Sequence, residues 1–93
     1  MSEFFRSIVR SARFEEELKQ FFSSVRRGDD AVEGSEFALA RAPERGVPVP
    51  QTTLFVWPIY PQGVEYLIYY RYSDEEVTLE SIRRGLENLE DLA

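Results

Sequence analysis

The chain has 93 residues, 43% hydrophobic and 30% charged, the make-up of one folded domain and not of a disordered or fibrous chain. It contains no Cys and no His, which excludes disulfides, thiolate chemistry, zinc–thiolate sites and an imidazole base, so no metal or cofactor is expected. The net charge of −6 is uneven: residues 1–28 hold six bases against four acids, whereas the remainder holds five against thirteen, which disfavours general nucleic-acid binding but allows a local basic patch.

In chain order, Phe4 to Arg10 alternates weakly and reads as a first strand, with Phe5 and Val9 on one parity and Arg6, Ile8 and Arg10 on the other. Ser11 stands where an N-cap belongs, and Phe14, Leu18, Phe21, Phe22 and Val25 follow at helical spacing. Glu15, Glu16 and Glu17 suit the first turns of that helix as a solvated, dipole-matched start, Arg26 and Arg27 suit its last, and Gly28 is expected to stop it. Asp29 or Asp30 is then the expected cap of a second helix, with Asp30-Ala31-Val32-Glu33 as a capping box. Val32, Phe37 and Leu39 supply its apolar side, and Gly34 costs it about 1 kcal/mol. Ala42-Pro43 ends this helix, because a residue before proline is pushed out of helical geometry.

Residues 43–53 carry three prolines and read as a loop or irregular edge. Leu54 to Tyr60 is a short apolar strand that Pro58 must interrupt, bulge or leave on an edge, and Pro61-Gln62-Gly63 is a turn. From Gly63 to Arg84 the pattern is a β-hairpin: Tyr66, Ile68, Tyr70 and Tyr72 share one face, Glu65, Leu67, Tyr69 and Arg71 the other, and Val77, Leu79 and Ile82 follow a polar turn at residues 73–76. Leu86, Leu89 and Leu92 suggest a short terminal helix. The expectation is an α+β domain over residues 1–93, ordered β-α-α-β-β-β, with a helical hairpin on one face of a mostly antiparallel four-stranded sheet whose other face has no obvious cover. No apolar run reaches the roughly 18 residues of a membrane span. Acids stand too early for a signal peptide, so a soluble cytoplasmic protein is expected.

That order, with SARFEEELKQFF opening the first helix, ALARAPERG closing the second and YYRYSDEEVTLESI in the final hairpin, resembles the RelE/ParE superfamily of type II toxin–antitoxin toxins. Its most specific piece is an apolar run ending in Tyr70-Arg71, an acidic turn, Val77-x-Leu79-x-x-Ile82 and then Gly85. The resemblance implies a small bacterial toxin neutralised by a cognate antitoxin protein that wraps around it. It implies action either as a ribosome-dependent mRNA endonuclease or by blocking DNA gyrase. The chain departs from the nuclease pattern, with Leu67 in place of an Arg, Leu86 and Glu87 in place of basic residues, and Arg84 where many relatives place a His.

Cleavage of RNA by its own 2′-OH needs a base, an acid and cationic stabilisation of the phosphate. Only the cations are evident. Arg71, Arg83 and Arg84 are the catalytic candidates, with Tyr70 or Tyr72 stacking a base or passing a proton; the plainer alternatives are surface ion pairs for the arginines and cross-strand packing for the tyrosines. Arg6 and Arg10 would join Arg71 in a cationic stripe for RNA or an acidic antitoxin if all three shared a face, and Trp57 belongs in the core or at the antitoxin. The expectation is a toxin or toxin-like homologue that binds its target without efficient RNA cleavage. The alternatives are an mRNA interferase and a non-toxic interaction domain of the same fold, dimeric through the open sheet face or an edge strand.

Overall fold

A computed structural model describes residues 5–85 of the chain. Strand β1 is Ser7–Arg10, shorter than the expected Phe4–Arg10, and Ser11 closes it by capping helix α1, Ala12–Phe21. The Ser11 Oγ accepts the Phe14 N–H at 3.0 Å, satisfying an amide that the first helical turn leaves unpaired. The helix stops at Phe21 rather than at Gly28, because Phe22 turns to extended geometry and Ser24 caps helix α2, Val25–Arg41. Gly28 therefore lies inside α2, as do Asp29 and Asp30, which cap nothing. Arg26 and Arg27 fall in the first turn of α2 instead of the last turn of α1. Gly28 serves packing: a Cβ there would lie 3.0 Å from Leu18 Cγ, so its absence lets the two helices meet closely.

Val32 and Leu39, seven residues apart, share the buried face of α2, whereas Phe37 lies well round the helix from both and is exposed. The helix ends at Arg41 before Pro43, as the proline requires, and a short 3₁₀ turn spans Pro43–Arg45. The remaining strands are β2 (Val47–Pro48), β3 (Phe55–Ile59), β4 (Tyr66–Tyr72) and β5 (Glu76–Arg83). The sheet has five strands in the order β1-β5-β4-β3-β2, and it is mixed, because β1 runs parallel to β5 while the other pairs are antiparallel. The expectation of four mostly antiparallel strands missed β2, a two-residue edge hidden in a proline-rich stretch where a missing N–H is tolerated. Pro58 sits opposite Leu67 in β3, beyond the reach of β2, so it stands at an edge.

The hairpin holds an irregularity between Tyr69 and Tyr70: Tyr69 pairs with Ser81 and Tyr70 with Leu79, leaving Glu80 as the extra residue of a β-bulge. This explains the spacing Val77-x-Leu79-x-x-Ile82, since the inserted residue returns Ile82 to the face of Val77 and Leu79, all three fully buried. That face packs with Tyr66, Ile68 and Tyr70 beneath Phe14, Leu18, Val32 and Leu39 of the helices. The opposite face is not wholly bare. Leu54 and Tyr69 are buried there with Val49, Val56 and Leu67, because the Val49–Leu54 turn folds back over the sheet, tied by Thr52 Oγ1, which donates to the Val49 carbonyl and accepts the Leu54 N–H.

Tyr70 joins β4 to the segment after α2. Its buried hydroxyl donates to the Pro43 carbonyl at 2.5 Å, and a Cβ at Gly46 would overlap that hydroxyl and come within 2.8 Å of Tyr70 Cζ. Gly46→Ala is expected to cost about 2 kcal/mol in a urea titration, with a smaller cost in a Tyr70→Phe background that lacks the obstructing oxygen. Equal costs in the two backgrounds would refute this account.

Candidate functional site

The pleat of β4 separates the residues that the sequence groups together. Arg71 lies on the sheet face away from the core tyrosine Tyr70, with its Nε donating to Thr53 Oγ1 and its Nη1 to Glu80 Oε2, both at 2.7 Å. Arg6 lies at the turn end of the hairpin on the other face, its Nε donating to the Ser73 carbonyl at 2.7 Å and its guanidinium 5.6 Å from the Tyr72 ring. Arg10 turns towards the helices. The stripe of Arg6, Arg10 and Arg71 is therefore not formed, because the first two share a parity that faces α2 while Arg71 faces the opposite side.

Arg10 is gripped by carboxylates from both helices. Its Nε and Nη2 donate to the two oxygens of Glu36 at 2.8 and 3.0 Å, its Nη1 donates to Asp29 at 2.7 Å, and Glu15 stands at 3.4 Å. The hydrogen bond to Glu36, reinforced by Asp29 and opposed by burial, holds this guanidinium's pKa above its ordinary value. A cation so enclosed organises β1, α1 and α2; it offers little to an external phosphate.

Arg83, another candidate, is 5% exposed. Its Nε donates to Ser81 Oγ at 2.9 Å and lies 3.6 Å from Glu17, whose other oxygen accepts the Ser81 hydroxyl and, at 3.2 Å, the Ile82 N–H. The acidic run at the start of α1 is thus not simply solvated: Glu15 and Glu17 each bind an arginine of the sheet, and of the three only Glu16 is exposed. Tyr70 is fully buried, and burial pushes its phenol up to about 12 against the lowering hydrogen bond from the Gly46 amide. Neither residue is presented to a substrate. Tyr72 packs against Phe55 with ring centroids 5.1 Å apart, and Trp57 is half-buried against the core opposite Ile68.

What the fold does assemble is a cleft of about 470 Å³ between the α1–α2 junction and the turn at residues 61–63. Phe21, Phe22, Val64 and Tyr66 form apolar walls, and Arg27 and Asp30 supply charge at the rim. The rings of Phe21 and Phe22 lie 5.2 and 5.3 Å from Tyr66, and the guanidinium of the exposed Arg84 lies over the Tyr66 ring, 5.9 Å from its centroid. Of the sequence candidates, Arg84 alone lies beside this cleft. Apolar walls with a few charged groups at the mouth suit an inserted aromatic or aliphatic side chain or a base. The sequence signal for it was the Phe21-Phe22 pair at a helix end followed by two serines, a combination with no meaning until Tyr66 is placed beside it. Leu86, Glu87 and the expected terminal helix lie outside the described residues.

No protein-family model matches the chain, and no curated protein matches it. Among the described residues no helix is long and apolar enough to cross a membrane.

Because the folded Tyr70 pKa lies above the ordinary 10.0, its contribution to stability is complete below about pH 10 and is lost as pH rises towards about 12. Tyr70→Phe should therefore lose less stability than the parent across that interval, and parallel losses would refute the assignment. Glu17→Ala removes the carboxylate beside the buried Arg83 and the acceptor of the Ser81 hydroxyl and Ile82 N–H, and should cost about 3 kcal/mol, whereas Arg84→Ala should leave the denaturation midpoint nearly unchanged.

Proposed function

We propose that this chain is a toxin, or a toxin-like homologue, of a type II toxin–antitoxin system, of the RelE/ParE kind, acting by binding a cellular target and neutralised by a protein antitoxin. Support for this reading comes from the helical hairpin laid on one sheet face and from the Tyr70-Arg71, turn, Val77-x-Leu79-x-x-Ile82 hairpin with its bulge. The observation that carries binding over cleavage is the disposition of the cations. Arg10, Arg71 and Arg83 are each engaged by carboxylates, and Arg6 and Arg84 lie near opposite ends of the seven-residue β4, against Tyr72 and Tyr66 respectively. A cleaving site needs cations and a proton acceptor converging on one phosphate. The cleft at Phe21, Phe22 and Tyr66 instead offers aromatic contact area with Arg27 and Asp30 at its rim, a combination favoured in protein recognition.

Induced expression in a bacterial host should arrest growth, and co-expression of the adjacent open reading frame should restore it. Arg27→Glu at the cleft rim should weaken the arrest while leaving the far-UV circular dichroism unchanged. Purified ribosomes should show the same mRNA fragments with and without the protein; new cuts abolished by Arg84→Ala would favour the interferase reading. Normal growth together with the absence of a neighbouring antitoxin gene would sink the proposal.

A further inference from the structure

We infer that the cleft beside the α1–α2 junction takes an acidic peptide segment, with one large apolar side chain seated among Phe21, Phe22, Val64 and Tyr66 and the neighbouring carboxylates held by Arg26 and Arg27. The inference rests on the reading of this cleft as a protein-recognition site, not on toxicity.

The arginines point to the charge of the partner. Arg26 and Arg27 stand side by side in the first turn of α2, which holds no acid. That is the unfavourable end of a helix for cations, because its unpaired amides already make it positive. Carboxylates are plentiful elsewhere: residues 29–93 hold thirteen acids against five bases, and Arg10, Arg71 and Arg83 are each engaged by at least one carboxylate. Arg26 and Arg27 are exposed and form no ion pair among the described residues, although Asp30 follows Arg26 by four residues and Arg27 by three, spacings that suit one. Two adjacent unmatched cations in a protein of net charge −6 give this end of the molecule a sign of its own, complementary to an acidic partner.

The cleft decides which anion. Arg27 lines it together with the apolar walls, so a carboxylate bound there brings the residues next to it to the mouth of a space of about 470 Å³. Tyr66 meets the Phe21 and Phe22 rings at 62° and 39°, so the walls form wedges that suit one inserted side chain and not the flat platform on which bases stack. Asp30 on the same rim opposes a continuous phosphate backbone, yet its carboxylate can accept a peptide N–H. A leucine or phenylalanine with acidic neighbours satisfies both the walls and the arginines. A nucleic acid satisfies the arginines alone.

Selection of displayed random peptides on the full chain should enrich sequences in which a large apolar residue has Asp or Glu beside it. A fluorescent synthetic copy of the best of them should bind more weakly as salt rises, and roughly tenfold or more weakly to Arg26→Glu combined with Arg27→Glu. The same peptide with lysines in place of its acids should prefer that double variant to the wild type, a reversal that a damaged fold cannot produce. Equal affinity for the two proteins, or the absence of a reversal, overturns the inference, as does a single-stranded RNA oligomer that binds more tightly than any selected peptide. Peptides without an acidic bias that still lose binding in Val64→Ser overturn the acidic partner and leave the cleft reading in place. Growth arrest by a chain that selects no peptide overturns the inference and leaves the toxin reading standing.

Discussion

The rest of the structure depends on how β5 is served where β1 runs out. The register of β1 ends with Arg10 opposite Leu79, but β5 continues to Arg83, and its bulge at Glu80 shifts the backbone groups presented on that side. Helix α1 replaces the missing strand with side chains: the Ser11 hydroxyl donates to the Glu80 carbonyl at 2.9 Å, and Glu17 accepts the Ile82 N–H. A buried backbone group left unmet costs about 1–3 kcal/mol, so this substitution permits the bulge, and the bulge permits Ile82 to rejoin the core. Ser11 thus ends a strand, caps a helix and completes a sheet edge.

The same arrangement governs the chain's charges. Arginines on strands suggest phosphate chemistry, yet in this fold Arg10 and Arg83 bind the two helices to the sheet, and Arg71 is paired with the bulged residue Glu80. Buried or half-buried guanidinium groups need their carboxylates, and removing one partner leaves a charge without compensation. The excess of acids over bases is in part a structural requirement of this kind, since Glu15, Glu17, Asp29, Glu36 and Glu80 each serve an arginine.

With those cations engaged, the exposed apolar surface lies elsewhere. The cleft of Phe21, Phe22 and Tyr66 lies where the α1–α2 junction meets the turn before β4, and the exposed Phe5 and Phe37 rings, 6.4 Å apart, lie beside β1. The polar turn of the hairpin belongs to neither.

Local signals were legible in the sequence because short-range sterics decide them. The cap at Ser11, the stop before Pro43, the turn at Pro61-Gln62-Gly63 and the alternating faces of β4 all follow from residues within a few positions of one another. The bulge was written there too, in the three-residue step from Leu79 to Ile82, though only the pairing of Tyr69 and Tyr70 gives that step its meaning. Tertiary structure decided what depends on partners distant in the chain. Gly28 reads as a stop until Leu18 is seen against it, Glu17 as solvated until Ser81 and Arg83 reach it, and Tyr66 as one more strand aromatic until the Phe21-Phe22 pair closes on it. A sequence states which groups are present and how they alternate, but whether a charge meets water or another charge is settled only when the helices cross the sheet.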